Sequence, residues 1–323
     1  MKKEKSEKIV KQYIVKCKKE YVPENFDIYK YLKYGKLDDI IESFNNTFEE
    51  KLGKDRKKFF NVHIKNLKIS EVPKKNMEVN HRSTSGTYLP LKNKITLYGN
   101  LNDCLEVSER LMHELLHMSS NKAKGLVAGL SISTVKDNLY GTTGKGLDEG
   151  YTELLNSRYF AMQEYYSGYR KEMILAAGIE KLIGKEKMLD DYFKYTLFDL
   201  LLELNEYTDS KQMSLDIINR IDKLNREEDI KEQEKIFKDV KKDIVSLKRK
   251  KLITDFASNK IDLEEFTRSN LFDIELYDKY NFIYDDYATL VDHGDNYMVM
   301  GNTGFFFVSK DNKNAEAYMK LKK

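Results

Sequence analysis

From Lys171 to about Leu252 the chain carries no proline, and its apolar residues recur every three and four positions. Proline in a helix interior removes a backbone hydrogen bond and clashes with the preceding turn. A run of this length without one, patterned at helical period, predicts helix throughout. Ile230, Phe237, Val240, Ile244 and Leu247 form a seam with charged residues elsewhere. That seam is too short for a sustained coiled coil, so the expected structure is an amphipathic helix packed on its own domain. Residues 1–58 also read as helices, with Ile9, Tyr13 and Val22 and then Leu37, Ile40, Ile41, Phe44 and Phe48 as apolar positions. Val22-Pro23-Glu24-Asn25 breaks them, because proline disfavours helix at the residue before it.

Elsewhere the pattern changes. Phe60-Asn61-Val62-His63-Ile64 alternates with period two, as a half-buried strand does. Thr87 to Leu91 and Lys94 to Tyr98 read as a hairpin. A helix follows from about Leu101–Cys104 to Ser120, with Asn102 or Asp103 available to cap it. Its apolar positions (Leu105, Met112 and Leu116; Val107, Leu111, Leu115 and Met118) lie on both sides, which predicts an enclosed helix. Asn121 to Gly146, with five glycines, reads as loop, and helix resumes near Leu147. Tyr287–Val291, Tyr297–Met300 and Phe305–Val308 read as short terminal strands around turns at His293–Asn296 and Gly301–Gly304. The expected fold class is α+β. The expected division is a helical segment 1–58, a core 59–170, a helical lobe 171–280 and a β segment 281–323.

Composition narrows the function. The chain has 323 residues and a mass of 38.0 kDa, enough to bury a core without covalent staples. Hydrophobic residues make up 41%, charged residues 34%, and mean hydropathy is −0.64, the profile of a soluble globular chain. A net charge of +3 argues against a nucleic-acid partner, which calls for a strong basic excess. Cys17 and Cys104 supply no disulfide framework and read as reduced thiols. The mixed-charge start shows no signal peptide, and Gly125 to Val135 is too short to span a bilayer. The expectation is a cytoplasmic protein without membrane contact. Export by a route that reads no N-terminal signal is compatible with the same sequence.

The residues that carry chemistry are His113-Glu114-Leu115-Leu116-His117. On a helix His113 and His117 stand one turn apart on one face, so both imidazoles reach one ion at about 2.0–2.1 Å. Glu114 lies about 100° around the helix, poorly placed as a third ligand and well placed to take a proton from a water on the metal. This is the H-E-x-x-H arrangement of zinc peptidases. The competing reading is two surface histidines beside an unrelated glutamate. The apolar helix opposes it, since these groups are costly to bury without a partner such as a metal.

A third ligand is needed, with one position left open. Two metzincin features are absent, for Ser120 and Ala123 stand where that group has glycine and histidine. Downstream comes Gly146-Leu147-Asp148-Glu149-Gly150-Tyr151-Thr152-Glu153. With H-E-x-x-H on one helix and this acidic stretch opening the next, the sequence from roughly Lys94 to Phe160 resembles the gluzincins. That clan includes thermolysin and the aminopeptidase N group. Asp148-Glu149-Gly150 is similar to the Asn-Glu-Gly start of the second helix in the aminopeptidases. The resemblance implies Glu149 as metal ligand and Glu153 as the group that orients a histidine. The segment between His117 and Glu149 is longer than in those relatives, and Glu153 stands as the alternative ligand.

The resemblance further implies a zincin-like catalytic domain, a small mixed sheet plus the H-E-x-x-H helix, followed by a largely helical lobe and a short terminal β meander. It implies one Zn2+ ion, a peptide or protein substrate, and hydrolysis with Glu114 as general base. A Tyr or His donor for the developing oxyanion is usual in the clan. The candidates are Tyr140, Tyr151, Tyr159 and His293. An edge strand at Lys94–Tyr98 is expected to pair with the substrate backbone.

Other features point to no site. Gly141-Thr142-Thr143-Gly144-Lys145-Gly146 lacks the first glycine and the Ser or Thr of a phosphate loop and reads as a flexible cleft loop. His63 and His81 have no spaced ligand set. Lys248-Arg249-Lys250-Lys251 reads as a solvated helix end. Two other classes of function fit the sequence: a catalytically silent zincin-like binding or regulatory protein, and a helical interaction protein with an accidental H-E-x-x-H. The intact Glu114 weighs against the first of these, since a structural metal site needs no base.

Overall fold

The computed structural model describes residues 11–14, 37–72, 86–98, 104–122, 125–136, 139–160, 168–208, 210–271, 289–301, 304–311 and 316. The proline break at 22–25, the helical positions Ile9 and Val22, the caps Asn102 and Asp103, His81 and Cys17 lie outside them. The class is α+β. One four-stranded sheet has the order β1-β2-β4-β3, from β1 (Lys11–Ile14), β2 (Lys68–Val72), β3 (Gly86–Leu89) and β4 (Lys94–Tyr98). β2 and β4 run parallel, whereas β1 and β3 are antiparallel to their neighbours.

Tyr13 is therefore a strand residue, in register with Ile69, and not part of a helix. β4 is interior, and β3 is the edge at its end of the sheet. The edge expected at Lys94–Tyr98 thus belongs to Gly86–Leu89. The expected strand at 60–64 is instead α2 (Lys58–His63) running into a 3-10 turn. Phe60 and Ile64, four apart, satisfy a strand period and a helix period alike. Both are buried, while Val62 between them is 55% exposed, which is the helical outcome.

α1 (Leu37–Leu52) buries Ile40, Ile41, Phe44 and Phe48 as its spacing predicts. Phe44 stacks on Phe160 at 4.7 Å between centroids and packs against Phe48 and Phe60. α3 (Cys104–Ser119) crosses behind the first sheet, with Leu111, Met112, Leu115, Leu116 and Met118 all buried. The stretch read as loop is a second sheet, an antiparallel meander of β5 (Asn121–Lys122), β6 (Val127–Ala128), β7 (Ser131–Lys136) and β8 (Leu139–Thr143). Gly125 (φ 88°) and Gly129 (φ 55°) make turns within it, in the left-handed region that favours glycine.

Helices complete the molecule: α4 (Lys145–Tyr159), α5 (Arg170–Ile183), α6 (Lys185–Phe193), α7 (Leu197–Asn205), α8 (Lys211–Arg226), α9 (Ile230–Ala257) and α10 (Leu263–Leu271). A third sheet joins β9 (Thr289–His293), β10 (Asn296–Gly301) and β11 (Gly304–Ser309) in antiparallel order. One continuous hydrophobic core runs from Ile40 in α1 to Leu247 in α9. On α9, Phe237, Val240, Ile244 and Leu247 are buried, but Ile230 is exposed. Lys248–Lys251 lies inside α9 and not at its end. Lys248 is itself buried and donates to the Ser269 carbonyl at 2.8 Å. No helix among the described residues is long and apolar enough to cross a membrane.

One buried group makes stability depend on pH. Asp191 is 1% exposed, and its Oδ2 has no hydrogen-bond partner among the described residues. Burial, then the charges of Glu203 and Asp199, push its carboxyl up to about 7 from 3.8. Between those values the folded chain holds a proton that the unfolded chain has released, so stability falls as pH rises from about 4 to 7 and stays reduced above. Asp191→Asn removes the charge but leaves an amide to satisfy. We expect it to stabilise the protein by on the order of 1 kcal/mol at pH 8 and not at all near pH 4, read from urea unfolding at both values.

Candidate metal centre

α3 and α4 pack side by side, and each contributes one face to a buried cluster. His113 and His117 project from α3 one turn apart, with Nε2 atoms separated by 3.1 Å. Glu149 of α4 places Oε2 at 3.2 Å from both. These three groups form the one set among the described residues whose donor atoms all lie within 4.8 Å of one another. An ion bound tetrahedrally at about 2.0–2.1 Å holds neighbouring donors roughly 3.3–3.4 Å apart. The observed triangle is close to that size.

The remaining ring nitrogens fix the tautomers. His113 donates through Nδ1 to Glu153 Oε2 at 2.9 Å, and His117 Nδ1 faces Asp148 Oδ2 at 3.2 Å. An ionised carboxylate only accepts, so each Nδ1 carries a proton, and in the neutral imidazole each Nε2 turns its lone pair to the centre. Three such groups converging at 3.1–3.2 Å need positive charge among them, from protons on the imidazoles or from a bound cation. The residues present fit a divalent metal.

The electrostatics favour positive charge there. Burial by itself lowers the pKa of each imidazole, yet the carboxylates outweigh it. Glu149 and Glu153 hold His113 well above its usual value, and Glu149 with Asp148 raises His117 to about 9. Burial works against the Glu149 carboxylate, but Lys145 and the two histidines hold it well below the usual range.

Glu114 stays outside the triangle. Its Oε1 lies 2.8 Å from where a Cβ on Gly86 would stand, so the carboxylate faces the first residue of edge strand β3. Burial raises its pKa, while the nearby histidines pull it down. Such a group binds a proton more readily than a surface glutamate does.

The second helix is held by contacts far away in sequence. Gly144, which precedes α4, is left-handed at φ 84°, and α4 has no side-chain cap of its own. Asp222 of α8 takes that role, accepting from the Gly144 N–H at 2.7 Å and the Gly146 N–H at 2.8 Å. The segment read as a flexible cleft loop is therefore the end of β8 and a pinned helix start. Asp148 also accepts from the Leu130 N–H at 2.9 Å, tying α4 to the second sheet.

The structure does not bring the expected oxyanion donors together at the cluster. Tyr151 is buried and bonds to Glu180 at 3.0 Å, away from the histidines. His293 is exposed on β9 against Phe307, and Tyr159 packs on the edge of the core. The Tyr140 side chain lies outside the described residues. The phenol that does approach is Tyr169, immediately before α5. Its ring lies over His113 at 6.0 Å and 18°, and the Glu149 charge, with burial, raises its pKa. Sequence reading missed Tyr169, Asp148 as the His117 partner, Lys145 and Asp222. Asp148 had a local signal in its place beside Glu149, whereas Tyr169 had none among 22 tyrosines. The His63 ring faces the Asn121 carbonyl at 3.0 Å and takes no part.

No family model, no curated protein and no solved structure matches this chain.

Proposed function

We propose that this protein is a zinc-dependent peptidase of gluzincin type, cutting peptide bonds in extended polypeptides. The observation that carries the reading is the division of labour among buried acids. Glu149 completes a triangle of donors, Glu153 and Asp148 orient the two imidazoles, and Glu114 alone faces the edge strand without joining the triangle. A structural centre has no use for that last carboxylate.

Zinc in the triad would supply Lewis-acid polarisation of a carbonyl and acidify a water toward about 7. Glu114 then accepts the proton of the attacking water and delivers it to the amine released as the C–N bond breaks. Tyr169, whose ring lies over His113, is the phenol we assign as donor to the carbonyl oxygen as its charge grows. A substrate backbone pairing with β3 passes Gly86, where the missing side chain lets the Glu114 carboxylate come up against the strand.

Elemental analysis tests the centre. We expect about one equivalent of zinc in the purified protein, and none in a His113→Ala/His117→Ala variant that keeps its circular dichroism. A wild-type protein that stays metal-free after incubation with zinc and dialysis overturns the proposal.

A further inference from the structure

The third ligand has a partner that the peptidase reading does not use. Glu149 has two carboxylate oxygens with different neighbours. Oε2 faces both histidine Nε2 atoms, and Oε1 is ion-paired with Lys145 Nζ, one helical turn before it. We propose that Lys145 is a positioning residue that holds Glu149 in one-oxygen coordination and so keeps a coordination position of the metal open. The inference rests on the metal-centre reading above and deepens it.

The chemistry follows from the count of donors. A hydrolytic centre needs three protein ligands and one free position. A carboxylate can bind through one oxygen or two, and a two-oxygen glutamate would fill the place that water and substrate require. An ammonium on Oε1 removes that oxygen from competition. It also withdraws charge from the ligand, which leaves the ion a stronger Lewis acid.

The backbone around Lys145 is built to hold it. Its two neighbours, Gly144 and Gly146, both donate their N–H groups to the Asp222 carboxylate. Both glycines are also sterically required. A Cβ on Gly144 would stand 2.1 Å from the Leu130 carbonyl oxygen, and one on Gly146 would stand 2.5 Å from that of Ile221. Lys145 thus starts from a fixed point, and its half-exposed stem leads to the buried carboxylate. With Glu149 buried and its other oxygen turned to the two histidines, an anchor of this kind points to control of the ligand.

Cobalt(II) provides a test that does not depend on turnover, because its visible absorption weakens as coordination number rises. The wild type should bind one cobalt ion with the intense bands of a four-coordinate site. Lys145→Met should bind cobalt at least as tightly, having lost a nearby positive charge, yet lose that intensity as Glu149 turns both oxygens to the metal. Lys145→Arg, which keeps the charge and the hydrogen bonding, should restore it. A Lys145→Met spectrum identical to wild type, whatever its affinity, overturns the proposal and leaves Lys145 a simple helix pair. A wild type that binds no cobalt sinks the metal centre itself, a separate outcome from the first.

Discussion

Glu114→Gln should leave one equivalent of metal in place and lower kcat for peptide hydrolysis by about 10²–10⁴-fold, the usual contribution of a general base. Glutamine fills the same space beside Gly86, so the fold and the triangle of His113, His117 and Glu149 are undisturbed. What is lost is the ability to accept a proton. Because burial raises the Glu114 pKa above 4.5, the acid limb of the wild-type activity profile should lie higher than a surface glutamate would give. Kinetics on a peptide library, beside metal analysis of the same preparation, check both halves. A variant that keeps metal and full activity would remove Glu114 from the mechanism.

Gly150→Ala should be strongly destabilising, because it puts one methyl group between the ligand helix and its neighbour. α4 and α5 approach so closely there that a Cβ on Gly150 would stand 2.4 Å from both the carbonyl carbon and oxygen of Glu172. Those are backbone atoms, so relief requires the two helices to separate. Overpacking of this kind costs about 3 kcal/mol, the upper end of the usual range. Glu149 and Glu153 flank the contact on the same helix, so metal affinity should fall together with the melting temperature. Thermal unfolding with and without zinc reads both. An unchanged melting temperature would show that the helices have slack at this point.

Gly150 also shows how a sequence pattern and its physical cause diverge. Asp148-Glu149-Gly150 is legible as a motif, yet what demands the glycine is the passage of Glu172, which no local pattern announces. The same division runs through the molecule. Glu149 on the second ligand helix was implied by the gluzincin resemblance, whereas His113 and His117 could be read because helix geometry converts a spacing of four directly into a shared face. The helices from α5 to α9 were legible for the same reason. Strand β1 was hidden because Lys11–Ile14 gains its conformation from pairing with β2, more than fifty residues away. The second sheet was hidden because its strands are short and its glycines, Gly125 and Gly129, are as characteristic of loops as of tight turns. Asp222, Lys145 and Tyr169 reach the site from positions whose sequence neighbours say nothing about metal chemistry.

The clamp from Asp222 has a consequence for the order in which the protein becomes competent. During synthesis both histidines and both glutamates leave the ribosome well before α8 exists. A nascent chain ending short of residue 222 therefore carries every ligand but has no acceptor for the amides that open the ligand helix. A fragment cut after residue 170 has the same defect. The start of the ligand helix is thus secured only once α8 has been made and docked, and such a fragment should hold Glu149 less firmly than the whole chain does.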